Sequence, residues 1–315
     1  MSDWLRKLGP LLGLILVFML FAMLRPKTFP TADNLQIMML QTAVVGTAAL
    51  GMTMVIISGG IDLSVGSAIA LSVVVIGVLL GEGASPLMAA LGGVMMGALC
   101  GTIIGLLITQ LKLTPFIATL GMLGILRGVA KGLVNDTPVY PPTTWLNSLL
   151  TKLADGQQWL LVPPGVWMML ILALLVAGVL RYTQLGRHFF AIGSNEQTAR
   201  LCGVPVERTK TIVYMLGSAF AALAGVLQFS YLTIGDPTTA EGKELDIIAA
   251  VVIGGGSLSG GEGSVLGSLV GALIMTVIDN GCTKLELPNW VQQIVTGYII
   301  VTAVALDRLR HRREG

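Results

Sequence analysis

The chain has little charge. Asp, Glu, Lys and Arg make up 11% of its 315 residues, less than half of the roughly 25% usual in soluble domains. Water is therefore not its main solvent. Cysteine is also scarce. Cys100, Cys202 and Cys282 stand far apart and form no CxxC pair, which argues against a zinc or dithiol site. The two histidines, His188 and His311, lie in basic stretches and read as solvated. No catalytic or metal-ligating set converges in the sequence. There is no G-x-x-x-x-G-K-[ST] phosphate loop, so the chain lacks the usual means of binding nucleotide phosphates. A net charge of +2 is too small to suggest a nucleic-acid partner.

What the chain has is apolar length. Hydrophobic residues reach 54%, and the mean hydropathy is +0.83. About 20 apolar residues cross a bilayer. The segments 8–24, 37–58, 63–81, 87–110, 115–134, 164–181, 211–235, 245–256, 263–281 and 290–307 predict an all-α polytopic membrane protein with about ten transmembrane helices. The eighth is too short to cross alone and reads as broken or re-entrant, lengthened by part of the glycine run after it. The first resembles a signal peptide but lacks a small-x-small cleavage site, so it is expected to remain as a span. Ten spans put both termini on one side. The cytoplasm is that side by the positive-inside rule, given Arg6 and Lys7 at one end and Arg308, Arg310, Arg312 and Arg313 at the other.

One polar island interrupts this pattern. Residues 181–210 carry five of the nineteen Lys and Arg and fall on the cytoplasmic side of that topology. Ser194 or Asn195 can cap a short helix running to Cys202, which Gly203 then stops, with Pro205 beyond. Such a helix can dock in a partner's groove or be a solvated connector. The longest outside segment is the loop 135–163, with Pro pairs and two Trp. It reads as a connector or a docking surface at the interface.

Forty glycines are far above the usual share. Gly93, Gly97, Gly101 and Gly105 recur every four residues, as do Gly263, Gly267 and Gly271. Each set predicts a helix face for close packing. Gly59, Gly60, Asp62 and Ser64 interrupt two apolar runs. Asp62 or Ser64 can cap the next helix, or Asp62 can point into a pathway. Arg127, with Lys131 four residues on, either snorkels or lines a polar path. Asp246 allows the same two readings. Residues 254–264, GGGSLSGGEGS, contain the pentapeptide LSGGE familiar from ATP-binding-cassette ATPases. With no phosphate loop in the chain, this is a re-entry loop. It shares a plan with GGIDLSVGS, so an internal repeat is open.

Several stretches, in order, carry a family resemblance. They are GGIDLSVG at 59–66, TPFIATLGML at 114–123, RGVAKG at 127–132, AIGSNEQTARLCGV at 191–204, ELDIIAAVVIGGGSLSGGEGSVLGS at 244–268 and WVQQIVTGYIIVTAVALD at 290–307. Nearly the whole chain resembles the permease subunits of ribose-type sugar ABC importers. The resemblance implies one transmembrane permease domain over 1–315, a cytoplasmic coupling loop at 182–210 and a periplasmic loop at 135–163. It implies a bacterial inner membrane location. It also implies an ABC ATPase subunit, a periplasmic sugar-binding protein and a second permease subunit as partners, in a lipid bilayer. ATP would be used by the partner subunit, with no cofactor bound by this chain. Such permeases carry a cytoplasmic E-A-A-x-x-x-G pattern. Gln197, Thr198, Ala199 and Gly203 fall in that register, with Gln for Glu and Thr for the first Ala. By resemblance, Asn195, Glu196, Gln197, Thr198, Ala199, Arg200 and Gly203 couple to the ATPase. The rival class, an ion- or proton-coupled secondary transporter, needs carboxylates inside the spans, and the spans are nearly free of them.

Overall fold

The computed structural model describes residues 3–152 and 160–311. Among these residues all regular structure is helical, apart from one isolated bridge between Val139 and Gly235. The helices are α1 (Asp3–Leu24), α2 (Ala32–Ile57), α3 (Val65–Gly81), α4 (Pro86–Thr109), α5 (Pro115–Leu133), α6 (Pro164–Tyr182), α7 (Gln184–Ser194), α8 (Glu196–Leu201), α9 (Val206–Leu232), α10 (Lys243–Ile253), α11 (Val265–Lys284) and α12 (Asn289–His311). Local chemistry sets their starts. Thr31, Ser85 and Ser264 accept from the backbone N–H groups of Asn34, Met88 and Gly267, and Pro86, Pro115 and Pro164 occupy the first turn, where no N–H is needed.

Each of the ten apolar segments contains a helix. Six helices, α2, α4, α5, α6, α9 and α11, are long and apolar enough to cross a membrane, and Gly9–Leu24 and α3 are shorter apolar stretches. α10 has 11 residues, about 16 Å of helix, roughly half the hydrocarbon thickness. The glycine run after it does not lengthen it. Gly254 caps the helix, and Gly255 turns the chain at φ +93°. The Arg-rich end enters the description only as far as His311, so Arg312 and Arg313 lie outside the described residues, as does 153–159 of the long loop.

α2 is the central post, with every residue from Thr42 to Ile57 buried. It packs against α9, α11, α10 and α6. α4 turns Leu87, Met88, Leu91, Met95 and Leu99 outward and its glycines inward. A Cβ on Gly93 would stand 2.7 Å from Ser72 Oγ of α3, and one on Gly97 2.7 Å from the Ser218 carbonyl of α9. Gly101 lies against the Tyr214 and Met215 backbone, and Gly105 against Thr211. As α4 advances, its α9 partners recede, so the two helices are antiparallel. Gly267 and Gly271 lie against the Gly254 and Ala250 carbonyls, which pins α11 antiparallel to α10. Gly263 is not part of that ladder. The helix begins at Val265, and Gly263 sits in the preceding turn beside Ile57.

Buried polar links cross the same contacts. Asn34 donates to Asn280 (2.8 Å) and Thr53 to Ser268 (2.7 Å), joining α2 to α11 in antiparallel register. Ser72 of α3 donates to the Ala222 carbonyl of α9 (2.9 Å). Gly13 faces Ile274 and Phe21 covers Gly281, so α1 runs parallel to α11.

A substitution pair tests this packing. Gly101→Leu forces a branched side chain into the α9 backbone and is expected to destabilise the protein by about 1–3 kcal/mol. Gly121→Leu, where nothing lies within 4 Å, should melt like the wild type. Thermal unfolding in detergent compares them, and equal melting of the two variants rules out the α4–α9 contact as the reason for glycine.

Candidate functional site

The polar island is more helical than its sequence suggests. After α6, Thr183 caps a second helix, α7, by accepting from Gly186 N–H (3.2 Å). Its apolar residues make a short amphipathic face rather than a membrane-length run, so apolar length does not reveal it. Phe189 and Ile192 are buried on one face, and polar residues occupy the other. The chain then breaks at Asn195, whose side chain accepts from Thr198 N–H (2.8 Å) and starts α8. Ala199 is buried with Ile192 and Val206 in a small apolar cluster.

The end of α8 is closed by a paired C-cap. Gly203 N–H donates to the Arg200 carbonyl and Val204 N–H to that of Ala199, both at 3.0 Å. Gly203 stands at φ +83°, the left-handed conformation this cap requires. Lys210 pairs with Glu196 at 2.6 Å, and Arg200 pairs with Glu207 and more loosely with Glu196. The hydrogen bond to Glu207 raises the Arg200 guanidinium above its ordinary pKa. These links hold α8 to the first turns of α9. Gln197, Thr198 and Leu201 remain exposed. Leu201 is 88% exposed, an apolar side chain at the tip that no sequence periodicity marks.

α7 also reaches the two glycine breaks. Gly193 lies against the Ile57 carbonyl at the end of α2 and against the Gly261 backbone. Gly261 N–H donates to the Ile57 carbonyl (2.9 Å), and a Cβ on Gly260 would stand 2.8 Å from Gly59 Cα. The two stretches with a shared sequence plan therefore touch each other, beside the last turn of α7.

Asp62 is fully buried. Its Oδ1 accepts from the Ser64 N–H (2.8 Å) and Ser64 Oγ (2.6 Å). Its Oδ2, like the nearby Tyr214 hydroxyl, has no hydrogen-bond partner. Neither expected cap forms. Ser64 holds the N-cap position of α3 with no side-chain cap bond, and Asp62 closes the turn before it. Gly60 is pressed against the Tyr214 ring. Arg127 neither snorkels nor stands free. It donates to the Pro237 (2.8 Å) and Thr239 (2.7 Å) carbonyls and ties α5 to the loop before α10. Asp246 pairs with Lys243 at 2.8 Å, and Lys243 also meets Asp279 at 2.6 Å. Each of the three residues offered for a pathway thus has its own local partners.

The family described as branched-chain amino acid transport system / permease component matches residues 34–304. The chain belongs to that family. This permease is 39% identical over 310 residues to the ribose import permease protein RbsC of Escherichia coli (strain K12), covering 96% of this chain and 94% of that one. It is 39% identical over 305 residues to RbsC of Bacillus subtilis (strain 168), covering 96% and 93%. It is 33% identical over 305 residues to the L-arabinose ABC transporter permease protein AraH of Azospirillum brasilense, covering 96% and 88%. No solved structure matches. The permease is a multi-pass membrane protein and a transport subunit.

Asp62 offers a test in this permease. Asp62→Asn keeps an acceptor for both Ser64 groups, whereas Asp62→Leu leaves them buried and unpaired, at a cost of about 1–3 kcal/mol. The yield of folded protein and its melting temperature should fall with Leu and stay near wild type with Asn. Equal damage by both would mean that the charge itself is required.

Proposed function

We propose that the chain is the membrane-spanning permease subunit of an ATP-driven ABC importer, moving a monosaccharide such as ribose or a related pentose or hexose. The observation that carries this reading is the near full-length similarity to permeases named for ribose and arabinose. The family description names branched-chain amino acids, but the ribose and arabinose permeases at 33–39% identity each match over 96% of this chain. These relatives are named as import or ABC transporter permeases, which weighs against the secondary-transporter alternative.

The packing supports ten spans with both ends in the cytoplasm. The spans are α1 to α6 and α9 to α12, with α10 completed by the loop before it. Alternate spans must run in opposite directions. The antiparallel pairs α4–α9, α2–α11 and α10–α11 and the parallel pair α1–α11 all obey that order. Helix ends also sort into two groups. The ends at Ile57, Gly193 and Gly260 meet, while Val139 pairs with Gly235 (3.1 and 2.8 Å) and Asn147 accepts from Ser230 (3.1 Å) elsewhere. The first group is cytoplasmic and the second periplasmic in this arrangement, which puts 182–210 inside and 135–163 outside, in the inner membrane of a bacterium.

The partners are an ABC ATPase, a periplasmic sugar-binding protein and a second permease subunit. α8 presents Gln197, Thr198 and Leu201 to a groove on the ATPase, and Asn195 and Gly203 fix its two ends. Gly124, Gly128 and Gly132 of α5 recur every four residues with nothing within 4 Å, a face on which a second permease can pack closely. This chain binds no cofactor. ATP is consumed by the partner, and its closure and release shift the permease between outward- and inward-open forms by differential binding free energy.

The native thiols test the sidedness. Cys202 is exposed, while Cys100 and Cys282 are buried. A membrane-impermeant maleimide should leave intact spheroplasts unlabelled and label Cys202 in inside-out vesicles. Labelling of Cys202 from the periplasmic side overturns the topology. Coupling is tested at Gly203. Val resists the left-handed conformation there, so Gly203→Val should misplace α8 and lower sugar uptake per ATP several-fold in liposomes at a normal amount of assembled complex. Unchanged uptake per ATP removes the coupling assignment.

A further inference from the structure

The five Lys and Arg of the polar island divide into two groups. Arg200 and Lys210 are matched internally, by Glu207 and Glu196. Arg181, Arg187 and Arg208 are exposed, and among the described residues none of them has a carboxylate partner. Two of these three lie at one corner. Arg181 is in the last turn of α6. α7 folds back against that end, with Gly186 pressed on the Val179 and Leu180 carbonyls. Arg187 follows Gly186, so both arginines leave the chain where α6 meets α7.

The corner ends an outward-facing stripe. Leu170, Ile171, Leu174 and Leu175 of α6 are exposed, while Met169, Ala173, Val176 and Leu180 are buried on its other side. The same steps of three and four residues carry the stripe past Gly178, which has nothing within 4 Å, to Arg181 and Tyr182. From Leu170 to Arg181 the helix rises about 16 Å, close to half the thickness of the hydrocarbon core. The stripe is thus as long as one leaflet is deep. Tyr182 is 74% exposed, and the Arg181 guanidinium stands 5.5 Å from its ring centre. Tyrosine suits the level where acyl chains meet headgroups. Guanidinium forks suit phosphate oxygens. An apolar helix laid on this face would cover the leucines but leave both guanidiniums unmatched. A lipid with a net negative headgroup matches the two parts together.

We propose that the α6–α7 corner binds an anionic phospholipid, with Arg181 and Arg187 on its headgroup and an acyl chain along Leu174, Leu175 and the gap at Gly178. In the topology above this lipid belongs to the cytoplasmic leaflet, and the site does not depend on which solute is carried. The headgroup anchors the base of α7, whose far end is tied by Gly193 to α2 and to the 254–264 turn.

The test uses the complex with its ATPase, purified in mild detergent, with phosphatidylglycerol and phosphatidylethanolamine of matched acyl chains added in equal amounts. Native mass spectrometry counts the lipids retained. The wild type should hold phosphatidylglycerol in several-fold excess, and Arg181→Gln/Arg187→Gln should lower that retention about tenfold. Where the double variant does not assemble, Arg181→Gln alone carries the test, with a loss of about threefold. Arg208→Gln removes one unmatched charge from elsewhere in the island and should retain the lipid as the wild type does. Glycerophosphoglycerol, the headgroup without acyl chains, should not displace the lipid at equal concentration. Equal retention of the two lipids by the wild type, or unchanged retention in the arginine variants, overturns the site. So does an equal loss in Arg208→Gln, which would reduce the effect to bulk charge, and so does displacement by the soluble headgroup, which would make it an anion site without a lipid. Loss of the ATPase from the double variant with lipid retention unchanged assigns the two arginines to that partner and overturns the proposal.

Discussion

Helix association in lipid has no hydrophobic drive of the kind that assembles a soluble core, so close backbone contact must do that work. The whole arrangement depends on it. α4 lies on α9 through Gly97, Gly101 and Gly105, and α11 lies on α10 through Gly267 and Gly271. At the junction of Ile57, Gly193 and Gly260 even the turns meet backbone to backbone. A single methyl group at most of these positions overlaps a neighbouring main-chain atom. Neighbouring helix pairs bury polar groups as well, α3–α9 through the Ser72–Ala222 hydrogen bond and α2–α11 through Thr53–Ser268. Packing and polar satisfaction are therefore one constraint.

That constraint explains what could be read from sequence. Apolar length showed where the bundle helices lie, because lipid demands continuous helices. The four-residue glycine spacing showed which face of α4 turns inward. Asn195 and Gly203 were legible because helix caps are local chemistry. α7 was not legible, since its burial comes from tertiary contacts of Phe189 and Ile192 rather than from an apolar run. Gly263 fitted the spacing but not the helix, because Ser264 starts α11 only after it. The partners of Arg127 were out of reach for a different reason. They are carbonyls of Pro237 and Thr239, and every residue has a carbonyl, so no sequence pattern marks them. A polar cavity bordered by Asn34, Gln41, Gln228 and Asn280 was invisible because its walls come from five helices, α2, α3, α9, α10 and α11, and the loop before α10.

The geometry also says how a motion at α8 can reach the spans in the proposed importer. α8 is held to α9 by Lys210–Glu196 and Arg200–Glu207. α7 is held to the end of α2 and to the 254–264 turn through Gly193. A push on the α7–α8 pair therefore acts on three elements at once, α9, α2 and the α10–α11 hairpin. Those same three elements wall the polar cavity. Packed contacts of this kind do not deform continuously. They shift between discrete arrangements, which is what an alternating pathway needs.

The source of energy follows from the charges. A secondary transporter draws on an ion gradient, and for that it needs a carboxylate that can gain and lose a cation as the protein changes form. Here Asp246 and Asp279 share Lys243, and Asp62 is engaged with both Ser64 groups. A permanent internal cation already occupies the first pair, and exchanging it would leave a buried ammonium without its partners, a costly state. Asp246 and Asp279 are thus committed to an internal partner, which weighs against the gradient-driven reading. In the proposed assembly the work enters mechanically, through the short capped helix α8.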